Sequence, residues 1–155
     1  MFMRNNRGFG LLEIVISVAV ISVSLFSLAA VSRIAFRAVN ESSLDVRANF
    51  LMEEGIEALR TIRDRAWSEI GGLQIGQTYQ LVFSEGAWRA TTTPQLIDGI
   101  FERTFVLDNV LRDANSNITS SGTLDIGTRR VTLKRRIVGG QSVEAVTYLT
   151  NLFQE

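Results

Sequence analysis

Glu13 is the first residue that calls for a chemical explanation. It follows Leu11 and Leu12, and the 19 residues from Ile14 to Ser32 carry no charge at all. A carboxylate carried to the middle of a bilayer costs roughly 2.5–3.5 kcal/mol, and less near an end, so such a residue needs either a cationic partner or a function. The plainer reading places it at the interface, where it complements the positive end of a helix. Two other groups have residue types suited to chemistry. Asp113, Asn115 and Asn117 alternate as oxygen ligands do at the start of calcium loops, with Asp108 and Asp125 not far away. The full loop pattern fails, because Ile118 stands where glycine is required and Leu124 where a bidentate glutamate belongs. Asp and Asn in this arrangement also make turns by bonding their own backbone. The second group is basic: Arg129, Arg130, Lys134, Arg135 and Arg136. Such a stretch can face nucleic-acid phosphates. Strand alternation, however, puts Lys134 and Arg136 on one face and Arg135 on the other. Charges on a strand also guard against edge pairing or pair with nearby carboxylates.

The composition removes most other chemistry. The chain has no histidine and no cysteine, which excludes Cys/His zinc sites, thiol nucleophiles, disulfide frameworks and Ser-His-Asp triads together. The formal net charge is zero, so nothing in the overall balance favours a nucleic-acid binder. Carboxylates acting alone remain as a route to catalysis, and no spacing singles a pair out. No catalytic residue, enzymatic activity or cofactor is expected.

The elements that must position these residues begin with the apolar run. At about 1.5 Å per helical residue, a run of this length spans a hydrocarbon core of about 30 Å. Arg4 and Arg7 precede it and a large domain follows, which predicts one span of the cytoplasmic membrane with the N-terminus inside. A cleaved secretory signal would have a shorter apolar region, although Ala29, Ala30 and Ser32 supply small residues. A plain signal anchor is the other alternative. Beyond Ser32 the chain becomes amphipathic. Val39, Val46 and Phe50, then Leu59, Ile62, Ala66 and Ile70, trace an apolar stripe among charges, which predicts one helix from about Phe9 to Ile70. A break at Asn40 to Ser43 is the alternative. Gly55 is a weak point worth about 1 kcal/mol against Ala, and Gly71-Gly72 is a stop. Strands follow: Tyr79 to Phe83 and Ala87 to Thr92 as a hairpin about Ser84-Glu85-Gly86, then Phe101 to Leu107, Arg130 to Val138 and Glu144 to Leu152. A sheet of four or five antiparallel strands packed on the amphipathic helix makes an α+β domain.

The order Arg7-Gly8-Phe9-Gly10-Leu11-Leu12-Glu13-Ile14-Val15, ahead of an uncharged run, resembles the N-terminal motif of type IV prepilins and type II secretion pseudopilins. The resemblance covers the N-terminal third. It implies a prepilin peptidase that cuts between Gly8 and Phe9 and methylates the new N-terminal Phe9. It also implies that Glu13 neutralises that amine on a neighbouring subunit during assembly. The cut would remove Arg4 and Arg7, taking the basic residues from 16 to 14 against 16 acidic ones. The expected organisation is a leader (1–8), a membrane and assembly helix (9–32), its amphipathic continuation (33–72) and a β-rich head (73–155), with the ladle form of pilins. The partners implied are the peptidase, other pilin or pseudopilin subunits, an assembly platform and the membrane. The location implied is the inner membrane, then a surface or periplasmic filament. Gly10 departs from the Thr common in the family. The anchor also lacks the proline that kinks many pilin helices, with Ala30 near that place; this and the absence of cysteine favour a minor subunit. The alternatives are a DNA-binding tip pilin, with Arg130, Lys134, Arg135 and Arg136 as its contacts, and a secretion pseudopilin.

Overall fold

The computed structural model describes the backbone of residues 7–152 and the side chains of residues 10–152. The first helix, α1, runs Arg7–Arg65. It is continuous through Asn40 to Ser43, so the alternative of two helices does not arise there. The chain divides into two compact units at Asp45 and Val46. The first unit is α1 up to Asp45. The second contains the rest of α1, a short helix α2 (Ser68–Gly71) and six strands: β1 (Thr78–Ser84), β2 (Ala87–Thr91), β3 (Phe101–Arg112), β4 (Ile118–Thr119), β5 (Thr123–Ile137) and β6 (Ser142–Thr150).

α1 ends five residues earlier than the periodicity predicts. Arg63 and Arg65 occupy its last turn, where cations complement the negative helix end. α2 then restarts the helix on its own hydrogen bonds, Gly71 N donating to Trp67 O at 2.7 Å and Gly72 N to Ser68 O at 2.9 Å. The Trp67 ring lies across Gly71 so closely that a Cβ there would meet its Nε1 at 2.8 Å. Arg65 bridges the break through its ion pair with Glu69.

The strands form one antiparallel sheet in the order β2-β1-β3-β5-β6, with β4 pairing β3 off that path. The β1–β2 hairpin turns through Glu85 (φ 54°) and Gly86 (φ 77°), the doubly positive turn that matches strand twist. β3 and β5 are both longer than the sequence pattern predicts. Asp108 and Asn109 look like turn residues, yet they stay in the ladder, and the register shifts only between Asn109 and Val110. The extension is tied by Arg112, whose Nε donates to Asp125 Oδ2 at 2.6 Å.

Met52, Ala58, Leu59 and Ile62 of α1 pack with Ile70 against Tyr79, Leu81, Phe105, Leu107, Val131, Leu133 and Leu149. The buried line on α1 is therefore Ala48, Met52, Gly55, Leu59 and Ile62, at alternating spacings of four and three. Val46 and Phe50, read from sequence as part of the sheet-facing stripe, are exposed. Ala48 and Gly55 are the small residues that let the helix approach the sheet. A Cβ at Gly55 would lie 2.9 Å from Leu133 Cδ2 and 2.9 Å from Arg103 Cδ. What looks like a weak point in the helix is a close contact between layers.

Candidate functional site

The described residues of the N-terminal unit form a single helix. Its distinguishing property is an apolar helix with no buried residue: over the most apolar window of α1 none of the 18 residues is buried, and Leu11, Ile14, Val18, Ile21, Leu25, Phe26 and Leu28 are all exposed. In water such a surface would be strongly unfavourable, at roughly 25 cal/mol per Å². A lipid or a packed helical neighbour is its natural surrounding. Three of the five serines in the run are accommodated without outside help. The hydroxyls of Ser24, Ser27 and Ser32 donate to the carbonyls of Val20, Val23 and Leu28 at 2.8, 2.8 and 2.9 Å. Bonding one turn back satisfies each hydroxyl inside its own helix, which is the requirement of a segment without water.

Glu13 is the one charged residue between Gly10 and Ser32. It lies in α1 with no such internal partner among the described bonds, at the polar end of the span and four residues after Phe9. That spacing puts positions 9 and 13 on one side of the helix. Gly8 and Phe9 fall in the first turn of α1; their side chains, and residues 1–6, lie outside the described residues.

The two sequence candidates in the second unit have local structural engagements. Asp113 closes a turn on itself: Oδ1 accepts from the backbone N–H of Asn115 at 2.8 Å and of Asn117 at 2.9 Å, and Oδ2 accepts from Asn117 Nδ2 at 3.2 Å. Those bonds, first the Asn117 backbone and then its amide, hold the Asp113 carboxyl below the usual range. Asp108 and Asp125 do not join it. Asp108 faces Arg130 at 3.8 Å, and Asp125 binds Arg112 and the Gly127 N–H. Among the described residues no three acidic, histidine or cysteine side chains gather where they could hold a metal ion.

The basic strand divides as alternation requires. Arg130, Lys134 and Arg136 project from the outer face of β5, away from α1. Each has a carboxylate partner: Asp108, Glu144 at 2.6 Å and Glu102 at 2.6 Å. Arg135 is on the inner face, 7% exposed, and its Nη2 donates to Asn49 Oδ1 of α1 at 2.9 Å. Three paired cations and one buried one make a cross-strand ion ladder rather than an uncompensated basic surface.

Arg103 has no role assigned to it from sequence. It occupies the apolar side of β3, between Phe101 and Phe105, and its side chain is 3% exposed. Nη1 donates to Leu51 O at 2.9 Å and to Glu54 Oε2 at 3.0 Å, and the guanidinium lies 5.3 Å from the Trp88 ring centre. Burial lowers its pKa and Glu54 opposes that fall. Arg103 thus ties α1 to the sheet. The signal in the sequence was a charge in phase with Phe101, Phe105 and Leu107.

Residues 3–29 match the family model described as the prokaryotic N-terminal methylation motif. The match spans Gly8, Phe9, Glu13 and most of the uncharged run, and leaves the sheet-bearing unit outside it. In the comparisons with curated proteins and with solved structures, nothing matches.

Proposed function

We infer that this chain, a protein of the type IV prepilin or pseudopilin kind by its N-terminal methylation motif, is a structural subunit of a pilus or pilus-like filament. The observation that carries the reading is a single segment: Gly8-Phe9, then Glu13, then an apolar helix exposed all round, with the hydroxyls of Ser24, Ser27 and Ser32 bonded internally. Such a helix suits two surroundings in succession. In the membrane, lipid covers it. After cutting between Gly8 and Phe9, the same surface is covered by the helices of other subunits.

Glu13 has a role in the second stage. Cutting creates an amine at Phe9. An amine and a carboxylate placed together in an apolar interior neutralise each other, whereas either alone carries the full desolvation cost. Positions 9 and 13 share one side of the helix, so the pair can close within one copy or between copies; the resemblance to the prepilin family favours the pairing between neighbouring subunits. Ala19, Ser22, Ala29 and Ala30 allow helices to approach closely. In this reading residues 1–8 are the leader, 9–32 the anchor and assembly helix, 33–72 its amphipathic continuation and 73–155 the head. The chain is acted on by a prepilin peptidase and transforms no substrate itself.

The test is the intact mass and N-terminal sequence of the chain co-expressed with a prepilin peptidase, beside a Gly8→Leu control. A new terminus at Phe9, lost in the control, is the expected result. An uncut chain that remains in the membrane would reduce α1 to a plain anchor.

A further inference from the structure

The two edges of the sheet differ. β2 is short, and the carbonyl of Trp88 on it already accepts a bond from Arg65 at 3.0 Å. β6 has nine residues and pairs with β5 without a register break from Thr128↔Thr150 to Arg136↔Ser142. Edge strands are commonly protected by lysine, proline or a bulge. β6 has none of these, and its Val143, Val146 and Tyr148 are exposed. A long, regular edge whose one charge is Glu144 is suited to accept another strand that offers a cation opposite it.

The topology restricts which strand. Every neighbouring pair along β2-β1-β3-β5-β6 is antiparallel, so β2 and β6 run in the same direction. Subunits anchored in one membrane share a polarity. Two copies of equal polarity placed side by side bring β6 of one against β2 of the next in a parallel ladder, and the contact is open-ended, as a filament needs. The charges agree with that arrangement. Glu144 is the sole charged residue of β6 and Arg89 the sole one of β2. The register places both on the outer face: Arg89 opposes Val82, and Thr91 opposes Gln80, which leads across Thr104 and Lys134 to Glu144. A register with Glu144 beside Arg89 sets Val146 beside Thr91.

We propose that the β6 edge docks the β2 edge of a neighbouring copy, with Glu144 facing Arg89, during assembly of the filament. The proposal rests on the filament reading above, since an edge contact this small gains its strength from subunits already held together by their anchors. It also requires copies side by side, contrary to the expectation of a sparse minor subunit.

The absence of cysteine makes disulfide trapping clean. Full-length chain carrying Val146→Cys and Thr91→Cys is expressed with the peptidase and assembly machinery, then oxidised in the membrane and filament fraction. Within one copy the two positions are separated by four strand spacings, about 19 Å at ~4.8 Å each, which no disulfide spans. Dimers and higher multimers in the double variant, absent from either single variant, are expected. Glu144→Arg lowers their yield about 3- to 10-fold, and adding Arg89→Glu restores it. Equal dimer yield from Val146→Cys alone would mean that β6 pairs with itself, and would overturn the proposal. No edge cross-link, in a chain cut at Phe9 whose Phe26→Cys variant cross-links through the anchor, would also overturn it and leave the filament reading intact. An uncut chain that cross-links at neither place would overturn both. An uncut chain that still forms edge multimers would support the edge contact and remove its link to processing.

Discussion

Gly55→Ala tests the packing of helix on sheet, because helix propensity and tertiary structure predict opposite signs. Propensity alone gives Ala a gain of about 1 kcal/mol in a helix interior. The added Cβ would lie 2.9 Å from both Leu133 Cδ2 and Arg103 Cδ. Carbon atoms in contact sit about 3.5–4.0 Å apart, so each neighbour must retreat by roughly 0.6–1 Å. Leu133 has no exposed surface, and Arg103 is held by Leu51 and Glu54, so neither can turn away freely. Overpacking of this kind costs about 1–3 kcal/mol. The net expectation is a loss of about 1 kcal/mol, which for a unit of this size lowers Tm by about 4 °C. The assay is thermal unfolding of the full chain in detergent, followed by fluorescence of Trp67 and Trp88, both in the sheet-bearing unit. Leu133→Val added to Gly55→Ala should recover part of the loss, giving a coupling of about 0.5–1 kcal/mol between the two sites. A Gly55→Ala chain more stable than the parent would refute the close-contact argument and restore the reading of Gly55 as a weak point.

Three further expectations follow from named contacts. Glu13→Gln should leave cutting at Gly8-Phe9 unchanged while lowering filament yield about tenfold or more, a factor worth about 1.4 kcal/mol per contact; quantitative blots of sheared filaments beside N-terminal sequencing separate the two effects, and unchanged yield would remove Glu13 from assembly. Arg103→Ala should cost about 2–4 kcal/mol by leaving a void against Trp88, and Arg103→Met should cost less, because its side chain fills most of that void, while in both the half-exposed Glu54 can return to water and the unpartnered Nε is gone; equal losses in denaturant melts would contradict this. Asp125 is held below the usual carboxylate range, first by its bond from Arg112. Its stabilisation is therefore present above the unfolded pKa of about 3.9 and is lost as pH falls through the lower folded value. Asp125→Asn should accordingly be less stable than the parent at pH 7, with the difference shrinking below about pH 4; a gap that stays constant with pH would sink the assignment.

The features readable from the sequence are those set by local physics. The uncharged run is a membrane-length helix because hydropathy and helical rise act residue by residue, and Glu13 stands out for the same reason. The hairpin at Glu85-Gly86 is legible because the turn needs residues tolerant of positive φ. The antiparallel α+β architecture is legible because alternation along Phe101 to Leu107 and Arg130 to Val138 states which side faces the core. The failures have a common cause. Val46 and Phe50 fit a helical period as well as Ala48, Met52 and Leu59 do, and only the position of the sheet chooses between the two faces of α1. The ends of β3 and β5 were hidden because Asp108, Asn109 and Gly127 favour turns locally, while the Arg112–Asp125 ion pair and the partner strand hold them extended. Charge along Arg129 to Arg136 could be counted in the sequence, but its partners Asp108, Glu102 and Glu144 come from other strands, so its neutralisation depends on register. Gly55 and Arg103 show the same division most directly: one reads as a defect and the other as a misplaced charge until the helix and sheet are brought within contact distance, where the first makes room and the second ties them together. One-dimensional pattern determined the apolar helix, the element types and the N-terminal methylation motif; which faces meet, and which charges find partners, was decided by contacts between residues far apart in the chain, whose energies no local window contains.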